Sequence, residues 1–279
     1  MEALLREFFG LNIVDGSCEF LNGPDGYMSW QHLTFVTSLM IIMIASAVVL
    51  GLIYKKKDMA ERNKVLIWAA VLINLFELIK IIASCIRSEA GDLGPIKHNL
   101  PLFLCSIQLI AIPLAAFAKG RLKNAALDFV FIFGILGAIM GTYFAGQNYG
   151  TYPVFSFINV ISGITHSISG FASLYIVISK MASMRKRIMW ITFTILSGFC
   201  ITAYVVNRII DYNYMFLMRG DGTPYDIFFN LVGGHPVFYP LLVWGLFILY
   251  ITGFYFIYYF FRVRKQKKLD AAAKTEEIQ

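Results

Sequence analysis

Apolar runs about 20 residues long, the length needed to cross a bilayer core, recur seven times along the chain. They lie at roughly 31–54, 65–86, 100–118, 125–145, 157–180, 188–210 and 237–261. Charge clusters or Gly/Pro/Asn turns such as "RSEAGDLGP", "GQNYGTYP" and "RGDGTP" separate them. A backbone in hydrocarbon must satisfy its own hydrogen bonds, so these spans predict helices and not open sheets. The pattern therefore predicts an all-α, polytopic membrane protein with seven transmembrane helices. An N-terminal segment (1–30) precedes the membrane domain (31–261), and a basic tail (262–279) follows it.

Composition agrees: 58% of the residues are hydrophobic and only 15% charged, where a soluble domain has about half and a quarter. A net charge of +7 could suggest nucleic acid. The basic residues, however, are interleaved with the apolar runs and form no single patch, which suits membrane orientation. Lys55, Lys56, Lys57, Arg62 and Lys64 follow span one; Lys119, Arg121 and Lys123 follow span three. Lys180, Arg185, Lys186 and Arg187 follow span five, and Arg262, Arg264, Lys265, Lys267 and Lys268 follow span seven. These 17 residues fall on one side, against Arg6, Arg87, Lys97 and Arg219 on the other. The N-terminus is expected outside and the C-terminus in the cytoplasm, as for a multi-pass plasma-membrane protein. The start, "MEALLREFFG", lacks the basic n-region of a cleavable signal peptide. "LLREFFGLNI" could form an interfacial amphipathic helix or a plain lead-in. The tail reads as a solvated end whose basic half meets anionic lipid.

Ionisable residues inside spans are costly and mark functional hypotheses. In span two, Asn74, Glu77 and Lys80 step by three along one face, with Ser84 beyond them. A mutually neutralising Glu77–Lys80 pair is their bland reading. Span three carries Cys105 and Gln108, three apart, after Pro101. If Pro101 sits in the first helical turn, Cys105 lies ~8 Å below the outer boundary at 1.5 Å per residue. In span five, His166 sits in a small-residue stripe with Gly163, Gly170 and Ser173. Such stripes let helices approach closely, so His166 should face protein, ~14 Å deep. In span six, Tyr204, Arg208 and Asp211 share a face, with Asn207 beside them. Arg208 either snorkels to headgroups or binds a phosphate. Asp128 reads as interfacial. With alternating spans, Glu77, Lys80, Cys105, Gln108, His166, Asn207 and Arg208 all fall in the outer half of the bilayer. This depth predicts one polar cavity opening outward or into the outer leaflet.

A thiol becomes a nucleophile when a base takes its proton and a third group orients that base. Cys105 with His166 in reach, near Lys80 or Arg208, would meet that pattern. Gln108, Asn207 or a serine could donate to an oxyanion. The electrophile native to that depth is a glycerolipid acyl ester. Read alone, Cys105 is a packing residue first, since free cysteine behaves as a small hydrophobe; its depth beside the other polar residues is what raises the nucleophile reading. The four cysteines (Cys18, Cys85, Cys105, Cys200) have no ligand spacing, so no zinc site or disulfide framework is expected, and no cofactor.

"LPLFLC" in span three, "GITHSISG" in span five and "DYNYMFLMRGDGTPYD" after span six together resemble the YwaF / transmembrane protein 164 family. The resemblance covers essentially all seven spans. It implies a phospholipid acyltransferase that passes acyl chains through a cysteine thioester assisted by histidine. That nucleophile falls on Cys105 and that base on His166. Phe103 departs from the bacterial pattern Leu-Pro-Leu-His-Leu-Cys, and His98 is not a substitute by position. The expected function is thus a lipid-directed acyltransferase or esterase acting on membrane phospholipids. Its site would be lined by Asn74, Glu77, Lys80, Gln108, Asn207 and Arg208. The alternatives are a transporter or receptor binding a small anion at Lys80 and Arg208, and a structural membrane protein. Span seven has no lysine for a retinal Schiff base, and there is no HExxH motif or paired-histidine box.

Overall fold

A computed structural model describes residues 1–14, 17–89 and 91–276. The chain divides into two compact units, Met1–Ala182 and Ser183–Gln279. In the first, α1 (Glu2–Phe9) leads into a hairpin of β1 (Asn12–Val14) and β2 (Ser17–Glu19), followed by α2 (Trp30–Tyr54) and α3 (Met59–Arg87). Then come α4 (Gly94–His98), α5 (Gln108–Phe117), α6 (Gly120–Thr142), α7 (Gly146–Thr151) and α8 (Phe157–Ile178). The second unit holds α9 (Lys186–Ile210), α10 (Asp226–Leu231) and α11 (Phe238–Glu276). Among the described residues, six helical stretches are long and apolar enough to cross a membrane: 30–54, 59–87, 120–151 (α6 with α7), 157–178, 186–210 and 238–264.

Side-chain caps set where the long helices begin. Ser29 accepts from the His32 N–H (3.2 Å), Asp58 from Glu61 (2.8 Å) and Ser156 from Asn159 (3.4 Å), each satisfying an otherwise orphaned donor. Polar contacts fix which helix ends meet. Lys123, at the start of α6, donates to Asn63 Oδ1 at the start of α3 (2.7 Å) and to the Ala116 carbonyl of α5 (3.1 Å). Arg62 donates to the Ser179 carbonyl just past α8 (3.0 Å), and Tyr175 returns a bond to the Arg62 carbonyl (2.9 Å). At the opposite end, His32 of α2 donates through Nε2 to the carbonyl of Thr142, the last residue of α6 (3.1 Å). α3 and α6 therefore run in the same direction, and α2 and α8 run opposite to them. Residues 88–119 consequently return from the end of α3 to the level of its start.

That return leg differs from the expected continuous helix over 100–118. Only Gln108–Phe117, 10 residues, is α-helical, and Pro101 lies in turns and opens no helix. The chain enters α5 through three successive i→i+3 bonds: Gln108 N to Cys105 O (3.3 Å), Leu109 N to Ser106 O (3.0 Å) and Ile110 N to Ile107 O (2.9 Å). These are turns and not α-helix, so a depth counted at the α-helical rise from Pro101 does not apply to Cys105. Pro113 lies inside α5 and brings no N–H to the Leu109 carbonyl four residues back. Asn74 of α3 supplies that donor instead (3.1 Å), while also bonding the Ala70 carbonyl (2.9 Å).

α6 is the centre of this unit, with every residue from Ala125 to Gly134 buried. Asp128, expected at the interface, is 0% exposed. It lies two turns into a helix whose whole circumference is covered, which overrides its nearness to the helix start. Small residues admit the close approach of α8: Ser173 donates to the Phe131 carbonyl (2.7 Å) and Ser169 to that of Gly134 (3.3 Å).

The N-terminal segment packs on the end of the unit where α8 starts. Phe8 meets Phe157 edge to face and Phe9 meets it at a tilt (5.7 and 4.8 Å between centroids). Arg87 lies over Phe20 and Tyr152 (4.6 and 5.7 Å). Leu4 and Leu5 of α1 are exposed. Glu7 ties α1 to the chain beyond β2. Its carboxylate accepts from the Leu21 and Asn22 amides (2.9 and 3.0 Å) and from the Asn12 and Asn22 side chains (2.8 and 3.2 Å). Desolvation pulls the Glu7 pKa upward, but these hydrogen bonds outweigh it and hold the carboxyl below the ordinary glutamate range. A depressed folded-state pKa stabilises the segment above the unfolded value and is lost as pH falls through the depressed one. Glu7→Gln should speed hydrogen exchange at the Leu21 and Asn22 amides about fivefold at neutral pH, for a loss of roughly 1 kcal/mol. Wild type should approach the variant's rate only in acid.

In the second unit, α9 and α11 are joined by Thr192–Tyr255 (3.3 Å) and by Trp244 Nε1 to Ser197 Oγ (2.9 Å). Two asparagines organise the loop after α9. Asn207 donates to the Tyr214 carbonyl (3.0 Å) and accepts from the Tyr214 N–H (2.7 Å). Asn213 bonds the Arg219 carbonyl (2.8 Å), Asp221 (2.7 Å) and the Met218 N–H (2.9 Å). The helical backbone of α11 continues through residue 276, where the sequence suggested only a solvated tail.

Candidate functional site

Six of the expected site residues belong to the first unit, and the fold gives them unlike surroundings. Cys105 sits in the turns that lead into α5, half-buried and against α6. A methyl group built on Gly137 would meet its Cα and Cβ at 3.4 Å. Ser106 flanks the sulfur with its backbone N–H and its hydroxyl, Oγ lying 4.0 Å from Sγ. One turn further along the same face of α6, a methyl on Gly141 would overlap the His166 ring at Cδ2 and Nε2. Gly137 and Gly141 are four apart and so stack on one helix face. Against that bare strip the thiol's residue and the imidazole of α8 lie about one turn of α6 apart, near enough to act on each other electrostatically.

The imidazole is oriented from its other side. Nδ1 lies 2.7 Å from the Ser162 carbonyl, one helical turn back, and 3.4 Å from Ser162 Oγ. A carbonyl only accepts, so Nδ1 carries the proton and Nε2 keeps its lone pair. With Nδ1 committed, Nε2 is the ring atom left for the thiol. His32 is the instructive contrast. It is 0% exposed and stacked on Tyr149 (4.0 Å), with Nδ1 accepting from the Met28 N–H (3.2 Å) and Nε2 held by Thr142. Both its nitrogens serve the fold.

Glu77 and Lys80 form an ion pair of 2.7 Å, their side chains 11% and 14% exposed. This is the neutralising pair considered from sequence, and Lys80 lies close enough to His166 to act on it electrostatically. Asn74 joins α3 to α5 as described. Gln108 is 0% exposed, and neither Nε2 nor Oε1 has a partner among the described residues. Asn207 and Arg208 belong to the second unit. Asn207 is committed at both ends to Tyr214, whereas Arg208 is exposed and bonds Tyr204 Oη (3.1 Å). Phe103 is half-buried on the return leg, and His98 is exposed at the end of α4. Cys200 is buried in α9, away from any such arrangement in its own unit.

Sequence reading passed over Gly137 and Gly141, although the run "GILGAIMG" places three glycines on one face at spacings of three and four. The described residues contain no cluster of three or more His, Cys, Asp or Glu side chains fit to hold a metal ion.

Helices of this length and composition define a multi-pass integral membrane protein. Residues 27–258 match the TMEM164 family, and the chain belongs to it. No curated protein and no solved structure matches the chain.

Proposed function

We propose that this protein is a lipid-directed acyltransferase or esterase working through Cys105 and His166. One observation carries the reading: the imidazole near the thiol has its Nδ1 fixed by a backbone carbonyl, leaving Nε2 to take the thiol proton. That is the nucleophile–base–orienter arrangement, supplied by Cys105, His166 and the Ser162 carbonyl. Family membership supports it. His166 accepts the Sγ proton as sulfur attacks the ester carbonyl of a phospholipid. The carbon–oxygen bond then breaks, and His166 returns the proton to the departing glycerol oxygen. The products are a lysophospholipid and an acyl thioester on Cys105. A second alcohol, or water, then gives its proton to His166 and attacks the thioester carbonyl; the carbon–sulfur bond breaks, His166 returns the proton to Sγ, and the acyl group leaves as a new ester or a free acid.

The membrane setting belongs to the same proposal. Six long helices plus the return leg 88–119 make seven crossings, with the N-terminus outside and the basic residues cytoplasmic. The protein then resides in the plasma membrane, with the site in its outer leaflet and phospholipids as partners. The Glu77–Lys80 pair weighs against an anion receptor at Lys80, since the cation is already neutralised.

Intact mass after incubation with phosphatidylcholine vesicles tests the reading. Wild type and Cys200→Ala should gain one acyl mass, whereas Cys105→Ala should gain none. An adduct that persists in Cys105→Ala removes that cysteine as the nucleophile.

A further inference from the structure

A carboxamide buried with no partner is rare, because leaving its donors and acceptor unsatisfied is unfavourable and buried polar groups are nearly always bonded. Gln108 is such a group at both ends of its amide. The other amides considered for the site have work elsewhere: Asn74 bonds two carbonyls, and Asn207 holds Tyr214 at both ends.

Its place in the chain relates it to the thiol. The Gln108 N–H bonds the Cys105 carbonyl (3.3 Å). In such an i→i+3 turn, side chains three apart eclipse one another. Long side chains at a helix start also lean back over the preceding turn, which here contains Cys105. An unsatisfied amide donor thereby belongs to the same turn as the thiol, and at 0% exposure its bond to a developing charge would not be shared with solvent.

We propose that Gln108 is a catalytic residue whose Nε2 donates to the oxyanion formed when Cys105 attacks an acyl ester. The inference rests on the Cys105–His166 reading and adds a group to it. As the sulfur–carbon bond forms, the carbonyl π electrons move onto oxygen, and Gln108 Nε2–H hydrogen-bonds that oxygen. When the electrons return, the bond to the glycerol oxygen breaks and its proton comes from His166. Nothing is oxidised or reduced.

Two reactions at the same sulfur separate this role from packing. Acylation by an ester passes through an oxyanion, whereas alkylation by iodoacetamide is a displacement at saturated carbon and does not. In full-length protein, Gln108→Met keeps the side chain's length and removes the donor. Acyl-adduct formation from phosphatidylcholine vesicles should slow about 100-fold, while alkylation of Cys105 stays within about twofold of wild type. Gln108→Leu should repeat the split, which guards against one variant misfolding. Acylation that is unchanged, or that falls together with alkylation, overturns the oxyanion role. Wild type that is alkylated promptly but never acylated overturns the Cys105–His166 reading, and this inference with it.

Discussion

Alanine at Gly141 should cut acyl-adduct formation on Cys105 about 100-fold while leaving the chain folded. The added methyl overlaps the His166 ring at Cδ2 and Nε2, so the ring must swing away. Nδ1 is anchored at 2.7 Å on the Ser162 carbonyl, and any swing that clears the methyl carries Nε2 off the thiol. Misplacing a catalytic group by about 1 Å is enough for a 10²-fold loss. The overpacking itself should destabilise by about 1–3 kcal/mol. Gly137→Ala is the matched control, because its methyl meets Cys105 at 3.4 Å, an ordinary contact. Its adduct should form within a few-fold of the wild-type rate. Time-resolved intact mass in phosphatidylcholine vesicles reads both. Equal rates for Gly141→Ala and wild type would show that the imidazole does not act from that position.

Lys80→Met should produce the largest loss of stability, about 3–5 kcal/mol, because it leaves the Glu77 carboxylate buried without its counter-ion. The pair is 2.7 Å apart and nearly enclosed, so solvent screens little of the loss. Glu77→Gln with Lys80→Met should restore most of it, since removing both charges of a buried pair is often close to neutral. A double-mutant cycle on thermal unfolding in nanodiscs isolates the coupling. Losses that simply add would place the pair in a wetter setting than its burial indicates. The double variant also lacks the cation near His166, so its adduct rate separates that charge's effect on the imidazole from its effect on the fold.

Much of this was legible in the chain. The long helices announce themselves because lipid permits only one way to satisfy a spanning backbone. The Glu77–Lys80 pair follows from a three-residue step, and the protein-facing side of His166 from its glycine and serine neighbours. The return leg was not legible. Hydropathy counts apolar side chains, and "LPLFLCSIQLIAIPLAAF" is as apolar as a helix. Whether Pro101 begins a helix or prevents one is settled by which backbone bonds its neighbours find. Asp128 misled for a related reason: nearness to a helix start suggests an interface, but α6 is covered all round. Nor could spacing reveal that Gln108 is unpartnered while Asn74 and Asn207 are committed, because that depends on carbonyls elsewhere in the sequence. One of those carbonyls, at Leu109, is freed by a proline four residues downstream.

The return leg also bears on how the protein is made. α5 spans only about 15 Å at the helical rise, half the thickness of a hydrocarbon core. Non-helical backbone such as 99–107 is tolerated at membrane depth only where protein or water surrounds it. The surfaces that receive the leg are α3, already synthesised, and α6 and α8, still to come. Cys105 therefore leaves the ribosome before its surroundings exist, and they are complete only when the seventy-odd residues through the end of α8 have followed it. A maleimide should label the thiol of nascent chains arrested before α8 faster than that of completed chains, where it is half-buried. The nucleophile is among the earlier parts of its unit to be translated and among the last to be enclosed.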